Sequence, residues 1–191
     1  LNIHVKEDIN YQYYNVIDWK TFLTKYTIRT DNLVVNRMLQ GESYATCSFE
    51  VKDKPTFHIW DYVMINTNGV RAEPYYFLHE PDIKKISTNK YAVTVRLDHG
   101  SILLKQATFL NSNYEADFYM YANLDEILDL IIDGGNRFVG LTKFTKGEIA
   151  PTNNKLHKFT CENCYDLLKR LASEYELEYD IRWPASGSTY I

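Results

Sequence analysis

The sequence predicts an α+β protein: an antiparallel β-barrel or sandwich domain over residues 1–112, then a smaller α/β subdomain with two helices over residues 113–191. Three observations predict it. Apolar and polar side chains alternate with period two through the first half, turn signals punctuate that half at strand-length intervals, and from about Tyr119 the apolar period lengthens to that of a helix.

Along the chain, Trp19 to Tyr26 fits a short helix or a strand, and Leu33 to Val35 is expected to be a strand. Ala45, Cys47, Phe49 and Val51 alternate with Tyr44, Thr46, Ser48 and Glu50, so one face of this strand is buried and the other wet. Trp60 to Ile65 and Tyr75 to Leu78 are apolar runs of strand length. Between them Asn68-Gly69 tolerates positive φ and marks a hairpin. Tyr91, Val93, Val95 and Leu97 alternate again, between turns expected at Thr88-Asn89-Lys90 and His99-Gly100.

In the second half, Asn123 with Glu126 three residues on forms a helix-start signature, and Ile127, Leu128, Ile131 and Ile132 follow at helical spacing. Gly134-Gly135 is expected to stop that helix. Residues 143–158 read as a polar loop or extended segment. Thr160 is expected to open a second helix in which Cys164, Leu167, Leu168, Leu171 and Tyr175 share a face. Leu177, Tyr179, Ile181 and Trp183 then alternate like a strand packed on it.

Composition narrows function. Hydrophobic residues make up 45% and charged residues 24% of the 191, which is the globular range. The net charge of −4, without a dense Lys/Arg block, argues against nucleic-acid binding, which needs clustered positive charge. Lys84, Lys85 and Lys90 are the densest basic group and read as a solvated strand edge. No apolar run nears the roughly 20 residues that cross a bilayer, so no membrane insertion is expected. The start at Leu1 without Met and the Gly/Ser-rich end predict a piece of a longer protein. The outlier is aromatic content: 16 Tyr, 9 Phe and 3 Trp. Tyrosine suits half-buried strands and interfaces, where the ring packs and the hydroxyl finds a partner.

Signs of catalysis are absent from the sequence patterns. Cys47, Cys161 and Cys164 form no disulfide framework, and the Cys161-Glu162-Asn163-Cys164 pair lacks the second ligand pair of a zinc site. Cys164 is expected to be a buried, inert thiol. His4, His58, His79, His99 and His157 stand without HxxxH or HExxH spacing, and there is no GxSxG or glycine-rich phosphate loop. Asp125, Glu126, Asp129 and Asp133 read as the solvated face of their helix. We therefore expect no catalytic residue, no cofactor-binding residue, no metal ligand and no cofactor.

The segment from Gly41 to His99 carries a resemblance in Trp60-Asp61-Tyr62-Val63-Met64-Ile65, Glu73-Pro74-Tyr75-Tyr76-Phe77-Leu78, Pro81-Asp82-Ile83-Lys84-Lys85 and Tyr91-Ala92-Val93-Thr94-Val95. It resembles the N-terminal barrel of phage tail-hub (tail-associated, Tal-like) proteins. The run from Thr160 to Tyr175 into Leu177-Glu178-Tyr179-Asp180-Ile181 is similar to that family's helix-to-strand close. The resemblance implies a structural component of a phage or prophage tail hub, at the tail tip or baseplate. Such a protein self-associates, as a trimer, contacts other tail proteins, and resides in the virion tail after assembly in the bacterial cytoplasm. Some members are described as prophage tail endopeptidases whose lytic domain follows the hub region; the resemblance implies that any such domain lies beyond these residues, so no enzyme activity is expected here.

Tyr11, Tyr13, Tyr14, Tyr75, Tyr76, Tyr119 and Tyr121 are the candidate contact residues for that assembly, with capping of their own sheet as the alternative role of each. Other functions left open are a glycan- or peptide-binding module, in which Tyr and Trp form stacking platforms, and the N-terminal part of a cell-wall hydrolase.

Overall fold

The computed structural model describes residues 12–38, 41–66, 72–140, 144–181 and 189–190. The chain divides into two compact units: Leu1–Asn36, Tyr44–Thr67 and Glu73–His99 form one, and Arg37–Ser43, Asn68–Ala72 and Gly100–Ile191 the other.

The first unit is built on a single sheet of β1 (Gln12–Ile17), β2 (Thr24–Thr30), β3 (Val34–Asn36), β4 (Tyr44–Val51), β5 (Tyr62–Asn66), β6 (Ala72–Tyr76), β7 (Asp82–Ser87) and β8 (Lys90–His99). Its order is β2-β1-β5-β6-β8-β4-β3, with β7 also paired to β8. The registered pairs are antiparallel, among them Cys47 opposite Val95, Ile83 opposite Val93 and Tyr14 opposite Ile28. Period-two alternation is what this pairing requires: Ala45, Cys47, Phe49, Val93, Val95 and Leu97 are buried, while Thr94 and Arg96 between them are exposed.

The strand order forces the sheet to curl. β2 and β3 lie at opposite ends of the path, six strand spacings or about 29 Å apart if flat. Yet only residues 31–33 join them, a link reaching about 14 Å at full stretch. The sheet is accordingly a half-barrel. Where the ladder between β3 and β4 ends, side chains continue it: Ser48 N donates to Asn32 Oδ1 at 2.8 Å and Thr30 Oγ1 donates to Ser48 O at 2.9 Å. The concave face holds the core, Val16, Ile28, Ala45, Phe49, Val63, Ile65, Phe77 and Val95 among others, with the Phe57 ring stacked on Phe77 at 4.9 Å.

The strands around Trp60 and Tyr75 begin and end differently from the sequence expectation. Trp60 has φ 77° and stands in a turn, so β5 starts at Tyr62; Phe77 leaves β6 to bond Asp61 and Trp60 through the backbone. The Asn68-Gly69 hairpin lies outside the described residues. The turns at Thr88-Asn89 and at Gly100 are present.

The second unit packs α1 (Ile102–Gln106), α2 (Leu124–Val139) and α3 (Cys164–Glu174) against one another, with β9 (Asp117–Ala122) paired antiparallel to β11 (Lys155–Thr160) and a two-residue parallel pair of β10 (Phe144–Thr145) and β12 (Thr189–Tyr190). α2 and α3 are the two expected helices, and α1 is an addition. Asn123 caps α2 as the sequence implies: its side chain accepts from Glu126 N, and Glu126 Oε2 accepts from Asn123 N, an arrangement worth about 1 kcal/mol.

Three local expectations are corrected. Gly134-Gly135 does not stop α2, which runs on to Val139 and ends at Gly140 in the left-handed region with φ 70°. The two glycines instead permit close approach. A Cβ at Gly135 would come 2.6 Å from Leu104 of α1 and 3.0 Å from Phe144, and one at Gly134 2.9 Å from Cys164 Sγ of α3. Thr160 ends β11 rather than opening α3, whose N-cap is Asn163, accepting from Asp166 N at 2.8 Å. Residues 177–181 form no strand; Leu177 N bonds Ala172 O as the chain leaves the helix, and Trp183 lies outside the described residues.

Candidate assembly surfaces

The residues from Asp18 to Leu23 make a hairpin tip between β1 and β2. Asp18 N donates to Leu23 O at 2.9 Å and Phe22 N to Asp18 O at 2.8 Å. Asp18 Oδ1 accepts from both Lys20 N and Thr21 N at 2.9 Å, and these bonds, that of Thr21 first, hold its carboxyl below the ordinary carboxylate value. Phe22 closes the tip at φ 59°, the left-handed region that a bulky side chain enters only at a cost. The result is a fixed turn presenting Trp19, Phe22 and Leu23 at 42%, 58% and 68% exposure. Sequence reasoning missed this surface. The left-handed position is filled by Phe rather than Gly or Asn, so no turn signal was visible; the readable clue was an aspartate followed by three large apolar residues within five positions.

A second surface lies on the β9–β11 pair. Its inner side, with Phe118, Met120, His157 and Phe159, is covered: Phe159 lies 4.9 Å from the Phe109 ring and 4.8 Å from that of Phe118, and α3 places Arg170 over Phe159. On the outer side Tyr121 stands opposite Leu156, Tyr119 opposite Lys158 and Asp117 opposite Thr160. Tyr119, Tyr121 and Leu156 are 67–69% exposed. Large apolar groups clustered on an open sheet face are what marks a contact surface.

The candidate tyrosines therefore separate. Tyr13, Tyr119 and Tyr121 are exposed, Tyr14 is half-buried, and Tyr11 lies outside the described residues. Tyr75 and Tyr76 are corrected as contact candidates: both are buried in their own unit, Tyr75 against His99 and Tyr76 against Trp60 and Tyr62.

Several polar groups inside the first unit pair with one another. Asp61 is fully buried, and its Oδ2 accepts from Lys25 Nζ at 2.6 Å and His58 N at 3.0 Å. Asp18, His58 and Asp61 are the cluster among the described residues with metal-ligand geometry, but Lys25 Nζ, also 3.2 Å from His58 Nδ1, already brings a positive charge there. Each described histidine has a different partner: His58 has Lys25, His79 has Asp98 at 2.7 Å, His99 has Glu73 at 3.6 Å, and His157 has Tyr175 at 3.0 Å. Cys164 is buried and its thiol is pushed up to about 12 by desolvation, as is that of Cys47, so both stay protonated at neutral pH. Cys161 is exposed and all three are free thiols. Asp125 and Asp129 share Lys146 at 2.8 and 2.7 Å on the outside of α2.

No family model and no curated protein matches the sequence. Solved structures do match. The prophage tail protein gp18 from Listeria monocytogenes EGD-e superposes with TM-score 0.62 at 10% identity over 94% of this chain and 50% of its own. The 43 kDa tail protein of prophage MuSo2 from Shewanella oneidensis gives 0.61 at 12% identity over 94% and 55%. The chain has a phage-tail-protein fold. The E. coli c3393 protein, a type VI secretion component described as structurally similar to the T4 tail proteins gp27 and gp5, gives 0.59 at 14% identity over 83% and 48%. The chain thus spans about half the length of the tail-fold structures it matches. At such identities the shared property is the fold.

Proposed function

We propose that this chain is a structural part of a phage or prophage tail hub, acting through self-association, as a trimer, and through contacts with other tail proteins, without catalytic activity. The observation that carries the reading is the tail-protein fold over 94% of the chain, in two prophage proteins that share almost no sequence with it. The two exposed aromatic surfaces support it, because a structural subunit needs docking area rather than a reactive cleft. Its place would be the virion tail, after assembly in the bacterial cytoplasm. Light scattering across a concentration series is the test. A mass of three chains is expected, and a single-chain mass at every concentration overturns the self-assembly reading.

A further inference from the structure

We propose that the 18–23 hairpin tip of the first unit is a bilayer-contact element, which seats Trp19, Phe22 and Leu23 in the interfacial layer of a phospholipid membrane without crossing it. No helix among the described residues is long and apolar enough to cross, and a contact of this depth needs none. It needs no second chain either, so it stands or falls independently of the self-association reading.

Shape and area argue for a bilayer as the occupant. Residues 19–24 are all exposed, so the apolar group is carried on a projection rather than in a groove. Trp19, Phe22 and Leu23 together expose on the order of 400 Å². A patch of that size marks a contact site, yet it is about half of the roughly 800 Å² per partner found in stable protein complexes. A fluid bilayer asks for neither that area nor a complementary pocket, because its acyl chains close around whatever enters. Beyond the Ile17–Thr24 pair the tip has three residues on each side, a reach of at most about 10 Å at strand rise. That reach matches the roughly 5–10 Å depth of groups lying in a membrane interface.

The polar groups of the tip are already arranged for a dry neighbourhood. A backbone amide that enters hydrocarbon finds no water and must be satisfied within the chain. Here Asp18 N donates to Leu23 O, Phe22 N to Asp18 O, Lys20 N and Thr21 N to Asp18 Oδ1, and Leu23 N to Thr21 Oγ1 at 3.4 Å. Asp18 is the tip's carboxylate, held at its base by these amides, and no acidic residue stands between 19 and 24, so no exposed anion has to leave water. Lys20, with its ammonium 5.4 Å from the Trp19 ring, carries its charge on a stem long enough to reach the phosphate layer while the ring sits below it. Tryptophan is itself enriched at that level. The same hydrogen bonds and the left-handed Phe22 fix the tip before contact, so little ordering is left to the encounter.

Cosedimentation with sucrose-loaded phosphatidylcholine vesicles tests the contact. The parent chain is expected to pellet increasingly as lipid is added. Trp19→Ser/Phe22→Gly/Leu23→Ser strips the tip while giving the left-handed position the residue it favours, and is expected to need at least about tenfold more lipid for the same pelleted fraction. Tyr119→Ser/Tyr121→Ser, on the other aromatic surface, is expected to pellet like the parent. Circular dichroism and thermal melting confirm that each variant folds. Depth is read from tryptophan emission: lipid brominated near the glycerol end of its chains should quench the parent more than lipid brominated near the methyl end. Trp19→Phe should keep the pelleting and lose that quenching. The contact is overturned if the tip variant pellets like the parent, if the sheet-face variant is the one that stops pelleting, or if quenching persists in Trp19→Phe. A parent that stays in the supernatant at every lipid concentration overturns it too, and makes the tip a contact for a protein instead.

Discussion

His157 shows how one side chain can be polar, buried and still quiet. It points inward from β11, stacked on Phe159, with Nε2 at 3.0 Å from Tyr175 Oη and Nδ1 at 3.7 Å from Glu174. Burial lowers its pKa from the usual 6.5 more than Glu174 raises it, and Arg170 and Lys155 lower it further. With the folded value depressed, the unfolded chain binds the extra proton first as pH falls. Stability from this group is therefore complete above about 6.5 and is lost as pH drops below it. Urea midpoints measured from pH 7.5 to pH 5 should fall with acid, and His157→Gln should flatten part of that slope; an unchanged slope would contradict the assignment. Nothing in the sequence marked His157 out, because its surroundings come from α3, many positions away. Cys164, by contrast, was legible as a buried thiol because its neighbours Leu167 and Leu168 lie on the same helical face.

Among the elements, α2 separates what local sequence encodes from what packing decides. Its start was readable, since the Asn123 and Glu126 side chains act on backbone groups three residues away. Its end was misread because glycine has two uses, and only the neighbours Leu104, Phe144 and Cys164 reveal that Gly134-Gly135 serves close packing. Gly135→Ala gains about 1 kcal/mol of helix propensity but forces a Cβ to within 2.6 Å of Leu104 Cδ2. The net expectation is a loss of about 1–2 kcal/mol, read as a lower urea midpoint. A stabilised variant would show that α1 yields easily. α1 itself was invisible in advance: five residues carry too little periodicity, and its Leu103 and Leu104 read equally well as the end of a strand.

For the molecule as a whole, the β-rich class was legible because a curled antiparallel sheet buries one face of each strand and writes that alternation into the sequence. The exposed aromatic surfaces were only partly legible. Tyr119 and Tyr121 stood out, but exposure depends on which sheet face is covered, and Tyr75 carries the same residue type into the core. The Lys25 ammonium among Asp18, His58 and Asp61 bears on the whole chain's behaviour too. Because that positive charge is covalently attached, excess EDTA should leave both melting temperature and solution mass unchanged; a drop in either would show that a cation contributes to the fold.

The three-residue link from β2 to β3 also sets the order in which the first unit can form. β1 with β2 and β3 with β4 are near neighbours in sequence, so both hairpin-like pairs are available early, and the link delivers the two sheet edges to each other without a search. The pairings of β4 with β8, in which Cys47 meets Val95, and of β1 with β5, in which Val16 meets Val63, join residues almost 50 positions apart and carry most of the loop-closure entropy. Folding speed should therefore be governed by these late closures; mutations in the early-formed link should slow folding, because its contacts are already made when the closures occur.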